Sequence, residues 1–540
     1  MTYADRIFFN GTVLTVDGQN SEAEAVATSK GRILAVGRRA DVENLSDGRT
    51  EMVDLAGQTM LPGLFDAHGH FPWWGQKKLF EVNLSSPPLG EVTCIDQMIA
   101  SLKAKLADLE AEDWVVGTGY ELDLLKEKRN PTRWDLDKVA TDRPVIAFHV
   151  SMHVIVANSY ALEMAGITRD TPDPEGGSIG RDHNGEPDGL LEEFTATDLV
   201  LNLRPALTRE QQLRGLDLTV AENLRLGITT TQDGWARFSH LDVLDEAIQS
   251  GRLKNRVVIW LDWRDHLQML DGARSLNTHD SELLIPGAAK LFQDGSIPGY
   301  TGYLSKPYHT PRDENVEYRG FPVHESGELA KAVTDLQARG QQIAIHGNGD
   351  AAIDDILDAF EAADKHTSRR DLRHVVVHAQ TARTDQLERM KALGLVPSFY
   401  IMHTYYWGDR HRDIYLGPER AMNISPAGEA LKMGIPFTLH CDAPVVPVDP
   451  ALMMWAAVNR KDLSGDVIGA HQRISAQQAL RATTIDAAYQ SHIEKDLGSI
   501  EMGKIADFAI VKENPLKDPD AIREMVVTET ILGGETVYKS

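Results

Sequence analysis

The sequence predicts an α/β protein: a (β/α)8 TIM barrel with a large insertion after strand 1, plus a small β-sandwich domain formed from both termini. Three observations carry the prediction. Eight short apolar runs alternate with helical patterns through the middle of the chain, as in a parallel sheet wrapped by helices. Four of those runs end in a candidate metal ligand, His68, His346, His378 or Asp442, and the strand ends of such a barrel converge on one face. Short strand-like segments with glycine turns occur at both termini, and neither set can bury a sheet face alone.

In chain order, residues 6–9 lead into Asn10-Gly11, a hairpin-turn signal, and residues 12–16 follow. Residues 24–28 and 33–36 flank Lys30-Gly31, a second hairpin. Barrel strands are expected at 60–68, 229–233, 257–262, 288–294, 342–346, 375–378, 395–400 and 436–442. Between them, Thr208 and Gln211 form a capping box that opens a helix to about Leu226. Ile353, Ile356, Leu357 and Phe360 mark a helix over 351–362. Residues 72–207 break the rhythm. They hold a helix near 95–109, strand-like 114–119 and 145–150, and a Gly/Pro/Asp-rich stretch at 172–189. Without this inserted subdomain the barrel has roughly 250–300 residues, the usual size. At the C-terminal end 498–511 is strand-like, and 526–532, Gly533-Gly534 and 536–538 form a hairpin. The expected units are 1–59 with 490–540 as the composite β-sandwich, and 60–489 as the barrel.

Composition narrows the function classes. Of 540 residues, 55 are Lys or Arg and 80 are Asp or Glu, a formal charge of −25. That field repels nucleic acid and anionic membranes, so neither is an expected partner. Cys94 and Cys441 are the only cysteines, which excludes a disulfide framework and fits a reducing compartment. No secretory signal and no run of roughly eighteen apolar residues is present, so a cytoplasmic protein is expected.

The chemistry-bearing residues end the apolar runs. His68 and His70 are two apart, a spacing that puts both imidazoles on one face of a strand. Alone this is weak, because 19 histidines in 540 residues give roughly one such pair by chance. His346, His378 and Asp442 each close a further apolar run. Ligands from four strand ends are much harder to assign to chance, and imidazole with carboxylate is a donor set for a divalent metal.

These segments resemble the amidohydrolase superfamily, in its YtcJ-like or amidohydrolase 3 branch. The likeness lies in residues 60–70, 290–296, 346–354, 373–380 and 442–445, in 498–507, and in 131–137 and 176–181 of the insertion. It spans nearly the whole chain, with the motifs in the family's order. The resemblance implies that His68 and His70 bind one metal with Asp442 beside it. His346 and His378 bind a second metal or complete a single site. Lys290 matches a position at which many members carry a carbamylated lysine. An ammonium beside dications is repelled, whereas a carbamate is anionic and offers two oxygens. The bland alternative for Lys290 is an ordinary lysine that pairs with Asp294 or lines the barrel. The implied cofactor is a divalent metal, zinc first, as one or two ions.

A bound dication lowers the pKa of its water toward about 7. Asp442 would take that proton and return it to the leaving nitrogen, cleaving an amide-type, non-peptide carbon–nitrogen bond of a small molecule. Residues following strand ends line barrel active sites, so His403, Trp407, His153 and Trp73 are substrate-binding candidates. His149, Trp74 and His440 are weaker ones, and His374 reads as structural. The rival readings are a hydrolytic deaminase, a lactonase or esterase on the same scaffold, and a non-catalytic binding protein. Against the deaminase, His346 is followed by Gly347-Asn348-Gly349 and lacks the glutamate that deaminases place there. A homodimer is open for this fold and is read from no residue.

Overall fold

The computed structural model describes residues 3–110, 113–276, 282–312, 315–367 and 371–540. Its centre is a sheet of eight strands: Leu64–Phe65, Ile228–Ala236, Arg256–Asp262, Leu284–Phe292, Ile343–Gly347, Val375–His378, Val396–Tyr400 and Thr438–His440. Neighbours follow chain order and every pairing is parallel. The sheet curls until its ends meet. The Asp442 amide donates to the His68 carbonyl (3.1 Å) and the His70 amide to the Ala443 carbonyl (2.7 Å). The result is a TIM-like barrel.

Strands five to eight are buried along their whole length. This is why the sequence shows continuous apolar runs rather than alternation: helices cover the outer face and side chains fill the inner one. The helix Asp350–Asp364 turns Ile353, Ile356, Leu357 and Phe360 inward. Arg209–Arg225 begins at Thr208, whose hydroxyl accepts from the Gln211 amide while Gln211 answers back.

The expected first strand, 60–68, divides in two. Thr59–Pro62 belongs to the terminal sheet and only Leu64–Phe65 to the barrel. The break falls at Gly63, where a Cβ would lie 2.1 Å from Thr229 Oγ1, so the two sheets touch there backbone to side chain. The hairpin expected at Asn10-Gly11 is absent. Arg6–Leu14 is one strand with an irregularity at that point. Asn10 has φ of 59°, and a Cβ on Gly11 would lie 2.4 Å from the Gln58 carbonyl oxygen. Across this bulge the strand changes parallel partner, from Glu51–Asp54 to Thr59–Pro62. Of the expected strand at 498–511, only Phe508–Val511 forms.

Both ends of the chain enter one sheet. Its order is Glu535–Lys539, Val527–Leu532, Phe508–Val511, Thr59–Pro62, Arg6–Leu14, Glu22–Ser29 and Arg32–Gly37. Phe8 and Phe508 meet edge to face at 5.9 Å across it. Between the first and second barrel strands lies a six-stranded sheet spanning Val82–Asn83 to Pro187–Glu192. It packs on its own core of Leu84, Met98, Leu102, Val115 and Leu136. Among the described residues no helix is long and apolar enough to cross a membrane.

Candidate metal centre

The site is built where the barrel strands end. His68 and His70 lie on a bend just past Leu64–Phe65 rather than on the strand itself. Their imidazoles still converge, because the bend is held between Asp442-Ala443 on one side and Asp233 on the other. Gln232 Oε1, from the second strand, accepts from His68 Nδ1 at 2.9 Å. That bond fixes the tautomer and leaves Nε2 for the centre. His68 Nε2 is then 3.7 Å, and His70 Nε2 3.4 Å, from Asp442 Oδ1. Ligand atoms of His68, His70 and Asp442 all lie within 4.8 Å of one another.

The remaining candidates close the ring. His378 Nε2 is 3.8 Å from Asp442 Oδ2, and its ring lies 4.5 Å from that of His346 and 5.7 Å from that of His68. His346 Nδ1 donates to Asp294 Oδ1 at 3.1 Å, and its Nε2 accepts from the Asn348 side-chain amide at 3.3 Å. Lys290 Nζ lies 3.2 Å from His68 Nε2. Asp294 is held by the amides of Tyr303, Asn348 and Gly349 and by His346, and not by Lys290. His378 and Asp442 both sit in the left-handed region, at φ of 69° and 54°. Such strain concentrates where a site, rather than local packing, dictates the backbone.

Electrostatics suit a cation. Burial drives His68 well below the usual imidazole range, and Lys290 adds to the effect. Burial likewise keeps His346 and His378 neutral, helped by His153 and by His346 respectively. Burial alone would raise Asp442, but the nearby imidazoles of His70, His68 and His440 outweigh it and hold the carboxyl below its ordinary value. Asp442 Oδ1 is nonetheless buried and accepts no well-aligned hydrogen bond. A buried carboxylate oxygen that faces imidazole nitrogens without a well-aligned donor lacks a positive partner, so these residues fit a divalent cation.

A cavity of about 370 Å³ opens over this cluster. His153 and Trp73 line it, and Trp73 stacks on His70 at 5.4 Å. His403 and Trp407 line a smaller recess of about 30 Å³ beside His378 and Asp442. His149 turns instead to Ser151 at 2.9 Å. His440 lies beneath the cluster, its ring 5.1 Å from both His68 and His378. Sequence reasoning missed Gln232, Glu193 and the aromatic wall of Phe194, Trp235 and Phe292. Gln232 directly follows the threonine run 229–231 in the second strand, and nothing local marks it. Phe292, by contrast, follows Lys290 at strand spacing.

A parallel barrel that gathers histidines, a carboxylate and a lysine at its carboxyl end defines a metal-dependent hydrolase. The chain belongs to the amidohydrolase family, whose sequence pattern matches residues 51–538. It is a hydrolase acting on carbon–nitrogen bonds. It is 30% identical to N-substituted formamide deformylase of Arthrobacter pascens, over 99% of this chain and 98% of that one. It is 28% identical to the putative amidohydrolase YtcJ of Bacillus subtilis, over 99% of each. An uncharacterized metal-dependent hydrolase from Pyrococcus horikoshii superposes with a TM-score of 0.73 at 27% identity, covering 96% of this chain and 99% of that one.

Proposed function

We propose that the chain cleaves a non-peptide, amide-type carbon–nitrogen bond of a small molecule, with Asp442 as its general acid and base. His68, His70 and Asp442 would hold one divalent ion, with zinc the expected metal. His346, His378 and a carbamylated Lys290 would hold a second or complete the first. When bound, such an ion polarises a carbonyl and acidifies a water near neutral pH.

The residues of the chain do the rest. Asp442 Oδ1 stands 3.4 Å from His70 Nε2 with no well-aligned donor of its own. A water held there gives its proton to this carboxylate, which then passes it to the departing nitrogen. Gln232 and Asp294 lock the tautomers of His68 and His346, so Nε2 is the acceptor nitrogen of both rings. Trp73, Phe194, Trp235 and Phe292 exclude water from the cavity and bind the organic part of the substrate, and His403 and Trp407 flank the recess beside Asp442. We further assign residues 1–59 with 490–540 to a β-sandwich unit and 72–207 to an inserted subdomain, in a cytoplasmic enzyme.

The observation that carries this reading is the buried Asp442 Oδ1, without a well-aligned donor between His68 and His70, with His378 beside the other carboxylate oxygen. Its test is hydrolysis of a panel of anilides and formamides, with matched esters, by chelated and zinc-reconstituted protein. Zinc-dependent cleavage of the amides supports the reading. Cleavage of esters alone, or turnover indifferent to chelation, overturns it.

A further inference from the structure

The cavity has a second polar pole that the metal cluster does not explain. His153 and Glu193 both come from the segment between the first two barrel strands, and both are buried. His153 Nδ1 meets Glu193 Oε2 at 2.8 Å, and the Glu193 amide donates to the His153 carbonyl, also at 2.8 Å. The two residues are thus fastened side chain to side chain and backbone to backbone. The His153 ring lies 5.1 Å from that of His346 and 5.0 Å from that of Phe194, and it lines both the main cavity and the recess.

Three features show that this pair is maintained at a cost. Glu193 has φ of 64° and ψ of 160°, a region that is almost exclusively glycine's and costs on the order of 1–3 kcal/mol. Its Oε1 is buried without a hydrogen bond. The carboxylate also fits only because residue 295 is glycine, where a Cβ would lie 1.9 Å from Glu193 Oε1. Structural packing alone does not call for a strained, desolvated carboxylate. Holding one imidazole at a fixed angle does, and a carboxylate behind a histidine is a recurrent way to orient a ring toward a ligand.

With Nδ1 committed to Glu193, the remaining polar atom of the ring, Nε2, is left for the cavity. Around it the same segment supplies Phe148, Met152, Phe194, Leu201 and Leu207. We propose that His153 contacts the substrate, its Nε2 hydrogen-bonding the scissile amide unit of an uncharged ligand with an apolar substituent, and that Glu193 is the positioning residue for that contact. The assignment rests on reading the cavity as the amide site, and it holds whichever proton state the ring adopts, because Nδ1 faces Glu193 in both.

The test is equilibrium binding to the full chain, as purified and after chelation, followed through the fluorescence of Trp73 and Trp235 in the cavity wall. The probes are N-phenylacetamide and toluene, which share an aromatic ring and differ in the amide. His153→Phe should weaken N-phenylacetamide about tenfold, the worth of one hydrogen bond, and leave toluene unchanged. Glu193→Ala should do the same, whereas Glu193→Gln, whose carbonyl oxygen still accepts from Nδ1, should restore most of the affinity. Amide binding that is equal in wild type and His153→Phe overturns the proposal. So does loss of both probes together, or a wild type with no preference for the amide. Amide binding that obeys these rules without zinc-dependent hydrolysis would defeat the hydrolase reading and leave this contact standing.

Discussion

Lys290 Nζ lies 3.2 Å from His68 Nε2, and both side chains are closed to solvent. Burial, against the pull of Asp442, brings the Lys290 ammonium down to about 7. Above that pH the amine is neutral and able to add carbon dioxide; below it the proton blocks addition. Zinc-loaded protein at pH 8 with 13C-bicarbonate should therefore show a carbamate carbon resonance. The resonance should fade toward pH 6 and be missing from Lys290→Met, which should also bind less metal.

Asp442→Asn keeps the shape of the site and removes the proton acceptor. Hydrolysis should fall by about 10²–10⁴-fold, the worth of a general acid–base group, with metal content measured alongside. A fall in kcat at retained metal is the expected outcome. Loss of activity in strict proportion to metal would assign Asp442 to ligation alone.

Arg256 grips Asp507 through Nε to Oδ2 at 2.7 Å and Nη2 to Oδ1 at 3.1 Å, with both side chains buried. This ties the third barrel strand to the residue that leads into Phe508–Val511 of the terminal sheet. Arg256→Met strands a buried carboxylate and should cost about 3–5 kcal/mol, read from urea unfolding. Arg256→Met with Asp507→Asn should recover part of it.

His374, at the far end of the barrel, accepts from the Ile343 amide at 3.0 Å through Nδ1 and stacks on Phe360 at 4.7 Å. Burial, with His492 nearby, brings its pKa down to about 3. Because the folded value lies below the unfolded 6.5, the stability it contributes is complete above pH 6.5 and is lost as pH falls toward 3. His374→Gln, which accepts the same bond without titrating, should lose less in melting temperature than wild type between pH 6.5 and 4.

The barrel was legible because buried parallel strands need apolar side chains on both faces, and strands such as Val375–His378 therefore stand out as unbroken runs. His68, His346, His378 and Asp442 stood out as candidates because they end the expected runs, whereas Lys290 lies inside its strand and was marked only by the family resemblance. What escaped depends on contacts distant in sequence. Asn10-Gly11 carries the local chemistry of a hairpin, yet the Gln58 carbonyl packed against Gly11 turns it into a bulge. Gly63 ends one strand and starts another because Thr229, 166 positions away, occupies the space of its missing side chain. Glu193 shows no motif at all. Its role lies in a strained backbone and in the glycine at 295, neither of which spacing reveals.

The most direct measurement is anomalous diffraction at the zinc edge from crystals grown with zinc. A peak is expected about 2.0–2.2 Å from imidazole nitrogens of His68 and His70 and from a carboxylate oxygen of Asp442, with any second peak between His346, His378 and Lys290. Zinc bound elsewhere on the chain, with these six side chains left empty, would contradict this metal site.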